Sequence, residues 1–156
     1  MKEPPELNSE RVRRMIKQMA SVNVWLYRHT GGRVGGNWRI GAGFRHPVPI
    51  CLLEHTGRKS GQLRTTPLVY LLDGENVVVV ASQAGRAEDP QWYLNIRANP
   101  AVGLQLRNDH RQMRARTANP EERAELWPRL VALYADYASY QSWCPREIPV
   151  VICEPR

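Results

Sequence analysis

Residues 56–70 read Thr-Gly-Arg-Lys-Ser-Gly-Gln-Leu-Arg-Thr-Thr-Pro-Leu-Val-Tyr, and this stretch predicts a tight chain reversal between two apolar runs. Gly57 and Gly61 permit backbone conformations that other residues resist. Three cations and one hydroxyl surround the two glycines: Arg58, Lys59, Arg64 and Ser60. The pattern therefore predicts a β-hairpin with a strongly basic turn.

The basic turn has two interpretations. As an anion site, its glycines would let main-chain N–H groups converge on a bound oxyanion. Arginine offers a planar fork and lysine a point charge, so the set suits a ligand with several anionic groups. The same residues also fit an exposed, solvated hairpin tip, and their spacing alone leaves both interpretations open.

Segments with a strand pattern recur on both sides of the turn. They lie at residues 50–55, 65–72, 77–81, 102–107, 112–117 and 149–153. The continuous run at 77–81 is typical of a buried central strand, and Asp-Gly at 73–74 is a strong turn signal before it. Pro67 interrupts its strand pattern, which indicates an edge position or a break where the strand opens towards a ligand.

Helical signals lie between these runs. A first helix is predicted from Asn8 or Ser9 to about Tyr27. A short helix begins near Pro90, and a last helix begins at the cap signal Asn119. Three phenols continue the last helix at intervals of three: Tyr134, Tyr137 and Tyr140. Strands joined by short turns and interrupted by helices favour a mostly β (α+β) fold, an antiparallel barrel-like sheet with flanking helices. A dinucleotide-type parallel sheet is disfavoured, since no GxGxxG opens a helix after a strand.

The first helix has an apolar side and a basic side. By default such a helix packs its apolar stripe on a sheet. Because the helix ends with Trp25 and Tyr27, residues 8–28 could instead make a peripheral contact with an anionic membrane. Residues 31–46 are rich in Gly and Arg and are predicted to form a long connection or flexible cover, with Trp38 and Phe44 as aromatic anchors.

Length and composition limit the partners. The 156 residues fit one domain, with an arm, helix and loop at 1–45 and a barrel core at 46–156. The balance of 22 Lys and Arg against 15 Asp and Glu gives a net charge of +7, which implies anionic partners. The cysteines and histidines are scattered, so we expect buried thiols, a reducing compartment and no metal site. No signal peptide or apolar run of about 20 residues appears, which predicts a cytoplasmic protein.

Three features are predicted to meet at one ligand. The basic turn supplies anion contacts, residues 65–67 supply backbone and hydroxyl groups beside a broken strand, and residues 82–85 form a small-residue loop. Residues 92–95 and the three tyrosines could wall a flat pocket, since aromatic faces suit a planar ring. Core packing is the alternative for each aromatic residue taken singly, although three buried phenols would each need a polar partner.

From about residue 45 onward the chain carries an ordered series of motifs. They are Thr-Gly-Arg-Lys-Ser-Gly-Gln at 56–62, Thr-Pro-Leu at 66–68, Val-Ala-Ser at 80–82, Pro-Gln-Trp-Tyr-Leu-Asn at 90–95, Ala-Asn-Pro at 98–100, Glu-Glu-Arg at 121–123 and Tyr-Gln-Ser-Trp at 140–143, followed by Ile-Pro-Val-Val-Ile-Cys-Glu-Pro at 148–155. The series resembles the deazaflavin-dependent nitroreductase and F420H2-dependent quinone reductase family.

The resemblance implies an FMN-binding-protein-like split β-barrel that binds coenzyme F420, an 8-hydroxy-5-deazaflavin with an oligoglutamate tail. It implies hydride transfer from the reduced coenzyme to a quinone such as menaquinone or, in some members, to a nitroimidazole or other nitroaromatic acceptor. The N-terminal helix is similar to the segment with which family members approach the membrane.

Matched position by position, the resemblance assigns the site residues. Arg58, Lys59 and Ser60 would hold the coenzyme's phosphate and anionic tail. The other residues that would contact the tail, linker or ring are Arg64, Thr65, Thr66, Pro67, Leu68, Val69, Val80, Ala81, Ser82, Gln83, Gln91, Trp92, Tyr93, Leu94, Asn95 and Tyr137. The residues that would border the acceptor and donate hydrogen bonds are Tyr134, Tyr137, Tyr140 and Ser82, with Tyr137 the first choice.

Two positions depart from the family pattern. Gln83 stands where the family usually has Lys, which removes one cation near the coenzyme. Val69 stands where nitroreductase-active members have Tyr, with the ring displaced to Tyr70. Because a strand alternates faces, that ring should point away from the pocket. The departures weigh against nitroimidazole reduction more than against coenzyme binding.

Other function classes remain open at this point. The chain could be an FMN-dependent split-barrel oxidoreductase or a non-catalytic F420- or lipid-binding protein. Nucleic-acid binding rests on charge alone, and the expected basic and aromatic strand pattern is absent, so no nucleic-acid partner is predicted. A monomer and a homodimer both fit the sequence.

Overall fold

Seven strands form one continuous antiparallel sheet in the part of the chain that the computed structural model describes, residues 10–38 and 46–156. They are β1 (Asn37–Trp38), β2 (Val48–Thr56), β3 (Leu63–Asp73), β4 (Asn76–Val80), β5 (Ala101–Leu106), β6 (Asp109–Thr117) and β7 (Val150–Pro155). Their order is β1-β2-β3-β4-β7-β6-β5, and β5 pairs again with β2. The strands from β2 to β7 therefore close into a six-stranded barrel, which confirms the predicted antiparallel barrel.

Four helices surround the barrel within the described residues. They are α1 (Glu10–Thr30), α2 (Gln91–Ala98), α3 (Pro120–Leu133) and α4 (Asp136–Trp143), and a 3-10 turn spans Gln83–Gly85. The start of α3 is fixed by a capping box, in which Asn119 Oδ1 accepts from the backbone N–H of Glu122 (2.8 Å) and the Glu122 carboxylate accepts from that of Asn119 (2.9 Å).

Strand β4 separates two apolar clusters. Val77 and Val79 belong to the cluster inside the barrel. Val78 and Val80 belong to an outer cluster, which α3 covers with Leu126 among others. Burial on both faces explains why the run at 77–81 is continuously apolar rather than alternating.

Strand β3 has one partner along its first half. Residues 63–69 pair with β2, whereas pairing with β4 begins only at Tyr70. Pro67, opposite Leu52, therefore lies where the other side of β3 has no strand partner among the described residues. The prediction of an edge position is confirmed for this half of the strand.

Helix α1 is docked by its C-terminal half. Tyr27 is fully buried, and its hydroxyl accepts from the backbone N–H of Arg107 (2.7 Å) and donates to the carbonyl of Gln105 (3.3 Å). Arg28 donates to Thr65 Oγ1 (2.6 Å) and pairs with Glu54 (2.9 Å). Four large apolar residues of the helix remain more than half exposed: Met15, Met19, Val22 and Trp25. The expected packing of the whole apolar stripe on the sheet is therefore wrong for these four residues.

Two further predictions need correction. Residues 31–46 do not form one uninterrupted connection, because Asn37–Trp38 pairs with β2. The tyrosine series does not continue α3, since Tyr134 has an extended backbone and a separate helix begins at Asp136. The expected arm at 1–7, the caps Asn8 and Ser9, and Phe44 lie outside the described residues.

Candidate functional site

A cavity of about 480 Å³ lies where the end of β2, the basic turn, the start of β3 and helix α2 meet. Its volume is in the range of small-molecule sites. Nine predicted site residues line it: Arg58, Lys59, Ser60, Arg64, Thr65, Thr66, Gln91, Trp92 and Asn95. His55 and Gly57 complete the lining. The structure thus brings together the turn, the first half of β3 and α2, whereas the loop at 82–85, which was predicted to meet them, does not line this cavity.

Hydrogen bonds within the turn hold its shape. The backbone N–H of Gly57 donates to the carbonyl of Gln62, and that of Gly61 to the carbonyl of Gly57, both at 2.8 Å. Ser60 Oγ accepts from the backbone N–H of Gln62 (3.2 Å). A Cβ at Gly57 would lie 2.6 Å from Ser60 Oγ, so a larger residue there would displace the Ser60 hydroxyl. These N–H groups are used within the turn. Of the main-chain donors that were expected to converge on an anion, the backbone N–H groups of Lys59 and Ser60 therefore remain.

Arg58 joins the turn to α2. Its backbone N–H and its Nη1 both donate to Asn95 Oδ1, at 3.1 and 2.9 Å. Its Nη2 donates to Gln91 Oε1 at 3.0 Å. The guanidinium lines the cavity, and two of its five N–H donors are used within the protein.

Lys59 and Arg64 have a different environment. Among the described residues, neither side chain has an ion-pair or hydrogen-bond partner, and both line the cavity. Two cations without counter-ions beside a hydroxyl, that of Ser60, form a site that attracts phosphate or carboxylate groups. The interpretation of the turn as a plain solvated tip does not explain why they face a cavity.

His55 is the site residue that the sequence analysis missed. Only 3% of it is exposed, and its ring nitrogens lie 3.0 Å from Thr66 Oγ1 and 3.1 Å from Asn95 Nδ2. Burial, with a smaller effect of the positive charge of Arg64, lowers the pKa of His55 from 6.5 to about 4. The imidazole is therefore neutral at physiological pH. A single histidine within a strand gives no sequence signal that it lines a cavity.

A second part of the predicted site follows β4. Val80 and Ala81 are buried, and Ser82 and Gln83 begin the loop after the strand. Gln83 and Ala84 have positive φ values of 45° and 55°, which L-residues adopt rarely. Among the described residues, no hydrogen-bond partner is present for the buried Gln83 Oε1. The loop is therefore strained and carries an unused acceptor.

Arg146 holds this loop in place and was also missed by the sequence analysis. Its Nη2 donates to the carbonyls of Ala81 (3.1 Å) and Glu88 (3.2 Å), and its Nη1 pairs with Asp89 (3.0 Å). A Cβ at Gly85 would lie 2.9 Å from the carbonyl oxygen of Tyr140, which shows how closely the loop approaches α4. These contacts offset the backbone strain at residues 83–84.

The three predicted tyrosines gather beside that loop. The ring centroids of Tyr134 and Tyr137 are 5.1 Å apart, and those of Tyr137 and Tyr140 are 6.3 Å apart. The hydroxyls of Tyr134 and Tyr140 lie 3.3 Å from each other. Tyr137 is 4% exposed, and burial raises its pKa above the usual range of a phenol. All three rings belong to the outer cluster rather than to the lining of the cavity at the turn.

The remaining predicted contacts lie on β3 and α2. Val69 packs on the outer cluster, whereas Tyr70 packs on the cluster inside the barrel, so the aromatic ring points away from the tyrosines as expected. Leu68 also faces the inner cluster. Tyr93 is buried there, and its hydroxyl lies 2.8 Å from Thr117 Oγ1. Pro67 and Leu94 lie outside the cavity lining.

The comparison with known families identifies the chain. A family model described as F420H(2)-dependent quinone reductase matches residues 19–155. The chain belongs to this family. One relative is Rv3178 of Mycobacterium tuberculosis (strain H37Rv), which is provisionally named an F420H(2)-dependent quinone reductase. It is 55% identical over 118 residues, which are 76% of this chain and 99% of that protein. The F420H(2)-dependent quinone reductase Rv1261c of the same strain is 35% identical over 147 residues, or 86% of this chain and 99% of the relative.

Solved structures agree with this assignment. A structure of the F420-H2 dependent reductase FDR-A has 39% identity and a TM-score of 0.64, and the match covers 68% of this chain and 94% of that one. A second structure, described as a domain-swapped dimer, has the same identity and TM-score, and the match covers 68% of this chain and 80% of that one. HutZ of Vibrio cholerae has 10% identity and a TM-score of 0.54, and the match covers 69% of this chain and 81% of that one. This likeness shows only that the fold is shared.

Membership settles the enzyme class and the cofactor. The protein is an F420H2-dependent reductase with a split β-barrel fold, and coenzyme F420 is its cofactor. None of its described helices is both long enough and apolar enough to cross a membrane.

We expect the free energy of unfolding to fall as the pH is lowered from about 6.5 to about 4. The unfolded chain protonates His55 near pH 6.5, whereas the folded chain resists protonation until about pH 4. The unfolded state therefore binds more protons in this window, and stability decreases by about 3 kcal/mol.

Urea unfolding of the wild type and of His55→Gln at pH 7 and pH 4 measures this contribution. The difference in unfolding free energy between the two proteins should shrink at the lower pH. A difference that is the same at both pH values would contradict the buried, neutral state of His55.

Proposed function

We propose that the cavity at the basic turn holds coenzyme F420 and that the enzyme transfers a hydride from the reduced coenzyme to a quinone. The observation that carries the proposal is the pair of cavity-lining cations, Lys59 and Arg64, that lack counter-ions among the described residues. The residues fit the coenzyme, because a phosphate and an oligoglutamate tail supply the negative charges that this donor set lacks.

The proposed contacts follow from the lining of the cavity. Lys59, Ser60 and Arg64 hold the anionic part of the coenzyme, while Arg58 keeps the turn against α2. Thr65 and Thr66 offer hydroxyls along the exposed half of β3, and Trp92 offers an aromatic face. We infer that the loop at 80–83 and the tyrosine cluster border the reacting end of the coenzyme.

The bound coenzyme supplies the hydride chemistry. The residues of the chain hold the coenzyme against the acceptor, exclude water and donate hydrogen bonds where negative charge develops on an acceptor oxygen. Tyr137, Tyr134, Tyr140 and Ser82 are the proposed donors, and no dedicated acid is needed because a reduced quinone can take its proton from solvent.

A nitroaromatic compound is the second proposed acceptor class. Val69 places an aliphatic side chain beside the tyrosine cluster, and Tyr70 faces the inside of the barrel. The acceptor side therefore lacks the ring that nitroreductase-active members of the family carry at this position. We infer that a quinone is reduced in preference to a nitroimidazole.

Removing either unpaired cation should weaken coenzyme binding. Titration of the purified protein with oxidised F420 and, in parallel, with FMN, followed by fluorescence, should show micromolar or tighter binding of F420 only. Lys59→Ala and Arg64→Ala should each weaken F420 binding about tenfold, since a charge-assisted contact contributes roughly 1.5–3 kcal/mol. The losses should diminish at high salt.

Arg114→Ala is the matched control, because Arg114 is an exposed arginine on β6 that does not line the cavity. It should leave F420 binding unchanged. Binding of FMN alone would favour the flavin-dependent alternative, and binding of neither would remove the assignment of the cavity to the coenzyme.

Replacing Tyr137 tests the acceptor side separately. Tyr137→Phe should lower turnover with a quinone about tenfold while changing the affinity for F420 by less than about twofold, if the hydroxyl acts on the acceptor. Steady-state kinetics and the fluorescence titration give the two numbers. Equal losses in both would show that Tyr137 is a wall of the coenzyme site instead.

We further propose that α1 makes a peripheral contact with the anionic inner face of the cytoplasmic membrane. Its exposed apolar residues occur with the exposed cations Arg11, Arg14 and Lys17 on the same helix. That combination favours an anionic lipid surface. The similar structure described as a domain-swapped dimer supports an alternative, in which the exposed side of α1 packs against a second copy of the chain. Light scattering, which measures the oligomeric state, distinguishes the homodimer from the membrane contact.

Sedimentation with lipid vesicles tests the membrane contact. The protein should pellet with vesicles rich in phosphatidylglycerol and not with phosphatidylcholine vesicles, and Met19→Ser with Trp25→Ser should abolish pelleting. Leu72→Ser is the control, since Leu72 is an apolar residue of β3 that is 48% exposed. Loss of pelleting in the control, or none in the α1 variant, would contradict the proposal.

A further inference from the structure

The orientation of the Asn95 amide is determined by its donor-only neighbours. The backbone N–H and the Nη1 of Arg58 both lie within hydrogen-bond distance of one amide atom, at 3.1 and 2.9 Å. Neither group can accept a hydrogen bond, so this atom is the carbonyl oxygen. The amide nitrogen Nδ2 is therefore the atom that lies 3.1 Å from Nδ1 of His55.

The Asn95 amide in turn determines the tautomer of His55. Because Nδ2 of Asn95 can only donate, Nδ1 of His55 must accept and carries no proton. The proton of the neutral ring is then on Nε2, which lies 3.0 Å from Thr66 Oγ1. With 3% of His55 exposed, water cannot readily replace these partners. Nε2–H therefore donates to the Thr66 hydroxyl.

The hydrogen of the Thr66 hydroxyl is left for another acceptor. Within the described residues, His55 is the hydrogen-bonding partner of Thr66 Oγ1, and Thr66 lines the cavity. A hydroxyl that accepts from an N–H group can rotate its own hydrogen towards a ligand. Thr66 thus faces the cavity as a donor.

We propose that His55 is a positioning residue that makes Thr66 a hydrogen-bond donor to an oxygen of the bound coenzyme. Four side chains act in series: Arg58 orients Asn95, Asn95 selects the tautomer of His55, and His55 turns the hydroxyl hydrogen of Thr66 towards the cavity. The proposal rests on the proposed function, since it places the coenzyme in the cavity at the basic turn.

The arrangement is stable at neutral pH for a geometric reason. Protonation of His55 would place a hydrogen on Nδ1, facing the amide nitrogen of Asn95, and two donors would then oppose each other. The positive charge of Arg64 also disfavours a charged ring. The direction of each hydrogen bond in the series therefore stays the same over the pH range in which the His55 ring is neutral.

Two substitutions at His55 separate donation from mere packing. His55→Gln can place an amide nitrogen near the position of Nε2 and so keep the donor to Thr66. His55→Asn is shorter and keeps a polar group only near the position of Nδ1. In a fluorescence titration with F420, His55→Gln should bind within about threefold of the wild type and His55→Asn about tenfold more weakly, the typical effect of one lost hydrogen bond to a ligand.

His110→Asn is the matched control, since His110 is an exposed histidine of β6 outside the cavity lining. It should bind F420 as the wild type does. Circular dichroism on each variant shows whether it is folded. Equal losses in folded His55→Gln and His55→Asn would overturn the proposal, because donation to Thr66 would then not matter.

A double-mutant cycle tests whether His55 acts through Thr66. Thr66→Val should weaken F420 binding about tenfold and Thr66→Ser by less than about threefold. Adding His55→Asn to Thr66→Val should cause no further loss. Losses that multiply in the double variant would overturn the series, whereas failure of the wild type to bind F420 at all would instead overturn the proposed function on which it rests.

The tautomer can be measured without the coenzyme. Long-range nitrogen–proton NMR spectra of the coenzyme-free protein should show His55 protonated at Nε2 and unprotonated at Nδ1 from about pH 5.5 to about pH 8. His55→Gln removes the signals and so assigns them. A ring protonated at Nδ1 would overturn the proposal whatever the affinity for F420.

Discussion

The position of the basic turn depends on one amide oxygen. Asn95 Oδ1 accepts two hydrogen bonds from Arg58, and Asn95 is 4% exposed, so these bonds tie the turn to a buried side chain of α2. The barrel edge and helix α2 are thereby joined at the turn. Because Arg58 is used in this joint, Lys59 and Arg64 are the cations left for a ligand. Packing, rather than the number of basic residues, decides which charges are available.

The two clusters on either side of β4 explain why the site has two parts. The inner cluster fills the barrel and includes residues of β2 and β3, the two strands that the basic turn joins. The outer cluster fixes α3 and α4 against the sheet and thereby gathers the tyrosines. The valines of β4 contribute alternately to both clusters, so the basic end and the aromatic end share one strand. A change of register in that strand would displace both ends together.

The sequence predicted the parts of this arrangement that depend on local pattern. Alternating and continuous apolar runs, turn dipeptides and the cap at Asn119 predicted the barrel, and two glycines among three cations predicted the basic turn. His55 and Arg146 were missed because their partners are distant in sequence: Asn95 is 40 residues from His55, and Ala81 is 65 residues from Arg146. The spacing of the tyrosines at three suggested one helix, whereas an extended residue at Tyr134 lets the rings meet.

The strained loop after β4 is held in place by a residue distant in sequence. Gln83 has a positive φ value and a buried oxygen without a partner in the described part of the chain, a combination that is unfavourable for folding alone. Arg146 binds the carbonyls on both sides of it and so holds the loop in one conformation. Gln83 contributes an amide and no charge to this loop. Positive charge without a partner in the described part of the chain lies instead at the cavity of the basic turn, on Lys59 and Arg64.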